Sequence, residues 1–129
     1  MTSVAPDTLV GVDLFCGAGG ITCGMRKAGV TVKLGVDYDR RFAETYEFNN
    51  APARYWLRDM ATVSGQEINN EIQLTNAQKF ILAACAPCQP SSRHNKRGVL
   101  RGHQDERRDL LDEVGRILKE LRRKPDYLF

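Results

Sequence analysis

The chain has 129 residues, 42% apolar and 27% charged, with 11 glycines and 5 prolines, which suits one compact globular domain and excludes disordered, collagen-like and low-complexity chains. A formal charge of +3, from 19 basic and 16 acidic side chains, is too mild to name a partner. The longest apolar run, Phe80 to Ala86, is far shorter than the ~20 residues a bilayer span needs, and Met1 to Val10 lacks a basic stretch ahead of an apolar one, so no membrane or secretory character is expected.

Thr8 to Phe15 is an apolar, β-branched run that stops at Cys16-Gly17-Ala18-Gly19-Gly20, predicting a buried strand that enters a glycine turn. Ile21, Met25 and Ala28 then recur at helical spacing, and Gly29 closes that helix with a left-handed cap. Val30 to Val36 predicts a second strand, ending at Asp37; Asp39 can cap a following helix that carries Phe42 and Tyr46 one turn apart. Tyr55 to Leu57 predicts a short third strand. Ser64 with Glu67 forms a capping-box pattern for a brief helix through Ile72.

Lys79 to Cys85 is the most apolar strand candidate, and Pro87 and Pro90 forbid it from continuing in a ladder. Ser91 to Gln104 has no periodicity and predicts a long loop. Leu110, Leu111, Val114, Ile117, Leu118 and Leu121 share one helical face that must end before Pro125, and Tyr127 to Phe129 opens another strand. Strands alternating with helices imply parallel pairing through right-handed crossovers, hence an α/β, doubly wound, mostly parallel sheet.

Ligands of such sheets sit beyond the carboxyl ends of the strands, where three groups of this chain fall. The glycine turn lets a ligand approach the backbone, and the helix after it offers free amides. Asp37, twenty residues after Gly17, has the offset at which an acid on the second strand accepts from ribose hydroxyls, so the pair predicts a nucleoside cofactor. The third group is Cys88 in Pro87-Cys88-Gln89-Pro90: a thiolate is a strong nucleophile, and the neighbouring basic loop favours the charged form. A buried structural cysteine or a zinc ligand is the competing reading, but Cys16 and Cys23 do not have a common zinc-knuckle spacing to complement Cys85 and Cys88. All four read as cytosolic thiols, consistent with a cytoplasmic protein.

Taken in order, Asp13-Leu14-Phe15-Cys16-Gly17-Ala18-Gly19-Gly20, Gly35-Val36-Asp37-Tyr38-Asp39 and Pro87-Cys88-Gln89-Pro90 resemble the opening motifs of cytosine-C5 DNA methyltransferases. The likeness continues through Arg58-Asp59-Met60 and Asp105-Glu106-Arg107-Arg108-Asp109-Leu110, and covers residues 9 to 129. It implies a Rossmann-like fold that binds S-adenosylmethionine, with Phe15, Gly17, Gly19 and Gly20 shaping the pocket. Asp37 would take the ribose hydroxyls and Tyr38 would lie against the adenine. Asp59 would accept from the adenine amino group with Met60 beside it, and Pro87 and Leu110 would line the methyl-donor side. Cys88 would be the nucleophile. The basic loop, with Arg93, Lys96, Arg97 and Arg101, would join Gln89 and Ser91 in contacting DNA.

This sequence departs from the family pattern at Ser91, where an aromatic residue is common, and at Arg108, where Gly is usual. The Glu-Asn-Val element, the later arginine motif and the target-recognition region are not among the 129 residues. The expectation is therefore the amino-terminal portion of a catalytic domain, inactive alone, which needs a complementing carboxyl-terminal segment or subunit and could self-associate through an open sheet edge. Three other readings stay open: a non-catalytic nucleic-acid-binding or assembly module, a transfer-RNA cytosine methyltransferase portion, and a nicotinamide-dependent oxidoreductase domain.

Overall fold

The computed structural model describes residues 8–87 and 106–129. Strand β1 (Leu9–Leu14) is covered on both faces, which is why it reads as an unbroken apolar run rather than an alternating one. Helix α1 (Gly20–Lys27) follows the glycine turn and is closed by Gly29 at φ 89, the left-handed residue that the sequence predicts. Then come β2 (Thr31–Asp37), α2 (Arg40–Asn50) and β3 (Arg54–Leu57). The Asp39 carboxylate accepts from the Arg41 amide at 2.9 Å and so caps α2.

A single 3-10 turn at Met60–Thr62 leads to α3 (Gly65–Ile72), whose amino end carries the reciprocal Ser64 and Glu67 capping box. The remaining elements are β4 (Lys79–Ala84), α4 (Glu106–Glu120) and β5 (Tyr127–Leu128). Every predicted element outside residues 88–105 is present, with ends displaced by a residue or two where the last pairing or helical turn frays. The predicted loop from Ser91 to Gln104 lies outside the described residues.

All four strand pairings are parallel, in the order β3-β2-β1-β4-β5. The chain moves outward from β1 through β2 to β3, then returns to the other side of β1 for β4, so strand order reverses between β1 and β4. One face packs Val10, Val12, Leu14, Phe80 and Leu82 against Ile68 and Ile72 of α3 and Ile117 of α4. The other packs Val32, Ile81 and Ala83 against Met25 of α1 and Tyr46 of α2. Helices therefore cover both faces, which makes the sheet doubly wound. Full burial of a side chain such as Leu82 or Ile117 contributes roughly 1.5–3 kcal/mol.

The β1–β2 register slips by one residue: Gly11 pairs with Val32 but Val12 pairs with Leu34. Lys33, left unpaired by the slip, reaches the Ile72 carbonyl at the end of α3 with its ammonium at 2.6 Å. Because side chains alternate along a strand, this one extra residue lets Val32 face one core and Leu34 the other. Beyond it Leu34, Gly35, Val36 and Asp37 alternate regularly to the carboxyl end of β2.

Candidate active site

The carboxyl ends of β1, β2, β3 and β4 lie side by side, with Leu14 level with Val36 and Ala84, and Asp37 level with Leu57. The segments leaving these strands form one edge that carries Phe15 to Gly20, Asp37 and Tyr38, Arg58 to Met60, and Cys85 to Pro87.

In the glycine turn, Phe15 has φ 60, Gly17 φ 51 and Gly19 φ 99. Left-handed backbone is free for the glycines but costs on the order of 1–3 kcal/mol at a bulky residue, so Phe15 is held there by its half-buried ring packed on the core. Gly19 has a second reason to be glycine, since a Cβ there would lie 2.5 Å from Asn50 Nδ2 and 3.0 Å from the Tyr46 ring. Gly35 on β2 faces the same ring, with 2.5 Å to the Tyr46 hydroxyl and 2.9 Å to Cys16 Sγ from the position of a Cβ. By contrast, no described residue lies within 4 Å of that position at Gly17 or Gly20, so among the described residues the turn is open on its outer side.

Asp37 is only 9% exposed and holds both sides of the edge together. Its Oδ2 accepts from the Gly17 amide at 2.9 Å and its Oδ1 from the Asp39 amide at 3.0 Å. A carboxylate has roughly four acceptor sites, so these two bonds leave capacity for hydroxyls. Tyr38 stands beside it, 72% exposed. The Arg58 amide donates to the Asp37 carbonyl at 3.0 Å and carries the ladder one step past β3, so Asp59 enters the edge directly after it. The exposed Asp59 carboxylate caps the 3-10 turn through the Ala61 amide at 3.0 Å with Oδ1, and Oδ2 has no partner among the described residues. Met60 is 4% exposed and packs in the core, so what it presents at the edge is backbone rather than side chain.

Beneath the turn lies a polar cluster that the sequence reading missed. The fully buried Asp13 accepts from the Thr22 hydroxyl at 2.7 Å through Oδ2, and Thr22 Oγ1 is 2.9 Å from the Tyr46 hydroxyl. Asp13 Oδ1 is buried without a hydrogen-bond partner among the described residues. Burial pushes the Asp13 carboxyl up to about 6, against hydrogen bonds from Thr22 that favour the charged form. The signal was present, because an acid within an otherwise apolar strand is seldom buried without a task. Burial and the nearby Asp13 and Asp37 carboxylates raise the Cys16 thiol well above its ordinary range, and Cys16 packs in the core beneath the turn. Cys23 and Cys85 are exposed. Trp56 is half-buried at the core rim, packed against the core, with the Arg58 guanidinium 5.9 Å from its ring centre.

Of the predicted site residues, Phe15, Gly17, Gly19, Gly20, Asp37, Tyr38, Asp59, Met60 and the exposed Pro87 come together at this edge. Leu110 lies half-buried in the first part of α4. Cys88, Gln89, Ser91, Arg93, Lys96, Arg97 and Arg101 lie outside the described residues.

A doubly wound parallel sheet with a glycine turn and an acid at adjacent strand ends defines a Rossmann-like α/β domain. Solved methyltransferases share it. A DNA modification methyltransferase encoded within an E. coli prophage matches with a TM-score of 0.64 at 26% identity, over 88% of this chain and 29% of that one. The Dnmt2 methyltransferase of S. pombe matches in fold with a TM-score of 0.66 at 19% identity, over 93% of this chain and 34% of that one. The fold is thus that of S-adenosylmethionine-dependent methyltransferases. Within that class the chain belongs to the C-5 cytosine-specific DNA methylase family, whose model matches residues 9–129.

Among curated relatives, the type II methylase M.HgiDII of Herpetosiphon aurantiacus is 35% identical over 117 residues, which are 91% of this chain and 30% of that protein. The type II methyltransferase M.XorII of Xanthomonas oryzae pv. oryzae is 30% identical over 118 residues, 92% of this chain and 26% of that protein. The chain therefore spans under a third of the length of these relatives.

Proposed function

We propose that these 129 residues form the cofactor-binding and nucleophile-bearing portion of a cytosine-C5 DNA methyltransferase of the type II restriction-modification kind. The observation that carries the reading is the Gly17–Asp37 hydrogen bond, which joins the glycine turn to an acid with spare acceptor capacity at an open sheet edge. The residues present fit S-adenosylmethionine: space outside Gly17 and Gly20 that no described residue fills admits it to the backbone, Asp37 suits ribose hydroxyls, and Asp59 Oδ2, without a partner among the described residues, suits an exocyclic amino group.

Bound there, S-adenosylmethionine supplies a methyl group on a sulfonium. Asp37 would hold the ribose hydroxyls, Tyr38 would contact the adenine, and Phe15 and Pro87 would line the site near the β1–β4 switch point. Carbon 5 of cytosine is a poor nucleophile until the ring gains electron density. The Cys88 thiolate would add to carbon 6 and push an electron pair toward carbon 5, which could then take the methyl group as the methyl–sulfonium bond breaks and leaves its electron pair on the sulfur of S-adenosylhomocysteine. Loss of the carbon 5 proton to a base then breaks the sulfur–carbon 6 bond and returns the thiolate. The target nucleotide would leave the duplex for this attack, and Gln89, Ser91, Arg93, Lys96, Arg97 and Arg101 would contact DNA.

We infer further that these residues alone turn over little, because the family's Glu-Asn-Val glutamate is not among them. A complementing segment would adjoin β5, where Tyr127, Leu128 and Phe129 are 55%, 51% and 69% exposed. The test is transfer of labelled methyl from S-adenosylmethionine to duplex DNA, with the carboxyl-terminal part of a relative such as M.HgiDII supplied in trans. The expected result is little transfer by the chain alone, rescue in trans, and loss of the rescue in Cys88→Ala. DNA binding with no transfer under any condition would overturn the enzyme reading in favour of a non-catalytic module. Transfer to transfer RNA but not DNA would overturn the substrate.

A further inference from the structure

We infer that Arg116, on α4, is a positioning residue for the adenine end of the cofactor site, because it fixes the corner that carries Asp59 and Met60. The inference rests on the cofactor reading above and assigns a part to a residue outside the cofactor edge.

Four N–H groups of the Arg116 guanidinium find four acceptors. Nε donates to Glu113 at 2.6 Å and Nη1 to Glu120 at 2.9 Å, both on its own helix. Nη2 crosses to the other element and donates to the Met60 carbonyl at 3.1 Å and the Val63 carbonyl at 2.8 Å. These are the first carbonyl of the 3-10 turn and that of the residue just past it, so one nitrogen spans the whole turn. Both residues are buried, at 4% and 0% exposure, so removing the guanidinium withdraws a charged donor from carbonyls that have little water to replace it.

The same helix holds the far end of the corner. Glu120 accepts from the Gly65 amide at 2.8 Å with the oxygen that does not face Arg116. Gly65 rests on the α4 backbone, where a Cβ would lie 2.6 Å from the Ile117 carbonyl oxygen. The segment from Met60 to Gly65 is thus pinned to α4 at both ends. Among the described residues Asp59 has no such anchor: its carboxylate bonds there to the Ala61 amide alone, and its direction follows the corner. A planar fork with donors on two edges is needed to serve both a helix and a turn, and a lysine ammonium cannot reproduce it.

Two measurements on the full chain test this, comparing wild type with Arg116→Met and with the milder Arg116→Lys. The first is amide exchange without ligand, in which both variants are expected to lose protection at Ala61, Thr62 and Val63 while Val10 and Val12 in β1 keep theirs. The second is calorimetric preference for S-adenosylhomocysteine over S-inosylhomocysteine, which carries an oxo group in place of the adenine amino group. Wild type is expected to prefer the amino compound by about tenfold, the scale of one well-placed hydrogen bond, and the variants to lose most of that preference. A variant that keeps the wild-type preference overturns the inference while leaving the cofactor reading intact. Failure of the wild-type chain to bind either compound sinks the cofactor reading itself.

Discussion

The Gly17 amide donates to the Asp37 carboxylate at 2.9 Å, so the first left-handed glycine after β1 and the acid that ends β2 form one rigid unit. A carboxylate that accepts from two backbone amides is already oriented before a ligand arrives, which lowers the ordering cost of binding. The relationship also explains the twenty-residue offset: β1 and β2 are parallel neighbours, and one turn, one helix and one strand separate their carboxyl ends.

Asp37→Ala is expected to weaken S-adenosylmethionine binding by at least about tenfold, since it removes both a ligand acceptor and the anchor of the turn. Calorimetric titration measures the loss, and amide exchange at Gly17 should quicken in the same variant. Unchanged affinity would remove Asp37 from the site.

Glycines in the same region should respond oppositely to a methyl group. Gly35→Ala places a Cβ 2.5 Å from the enclosed Tyr46 ring and is expected to cost roughly 1–3 kcal/mol by overpacking. Gly24→Ala, within α1 with open space around it, should gain about 0.5–1 kcal/mol from helix propensity. Urea denaturation of the two variants gives both signs in one experiment.

What the sequence made legible was local in origin. The strand before the glycine turn, the Gly29 cap, the Asp39 cap and the Ser64 capping box each depend on residues a few positions apart. For Tyr46 the sequence shows only a helix position, because its contacts with Gly19, Gly35 and Tyr55 arise only when α2 lies on the sheet. Arg116 was invisible for the same reason, since its turn carbonyls are 53 and 56 residues away. The slip at Lys33 could not be foreseen either: Val30 to Val36 reads as a smooth strand, and only pairing with β1 reveals the extra residue. Asp13 belongs to the first motif of the sequence, yet its burial follows from coverage on both faces of β1.

Stability should fall as pH rises from about 4 to 6 in proportion to the Asp13 contribution. Burial pushes the native carboxyl up to about 6 from its ordinary value near 3.8, so across this window the native state holds more protons than the unfolded chain. The contribution is fully present below the unfolded pKa and lost once pH passes the native one, an amount on the order of 3 kcal/mol. Asp13→Asn should remove this slope and be the more stable protein, relative to wild type, at pH 8 than at pH 4. Urea midpoints of both proteins from pH 4 to pH 8 check the sign, because the difference cancels the opposing slope from Glu67, Glu120 and Asp126, whose carboxyls are lowered. Parallel pH profiles for the two proteins would contradict the assignment.

The most direct test of the central claim is to titrate the isotopically labelled chain with S-adenosylhomocysteine and follow every backbone amide by NMR. The account predicts saturable shifts concentrated at Gly17, Gly19, Gly20, Tyr38 and Asp59, along the carboxyl edge of the sheet. Saturable shifts confined to the opposite edge, around Gln73, Asn76 and Gln78, or none at all, would contradict it.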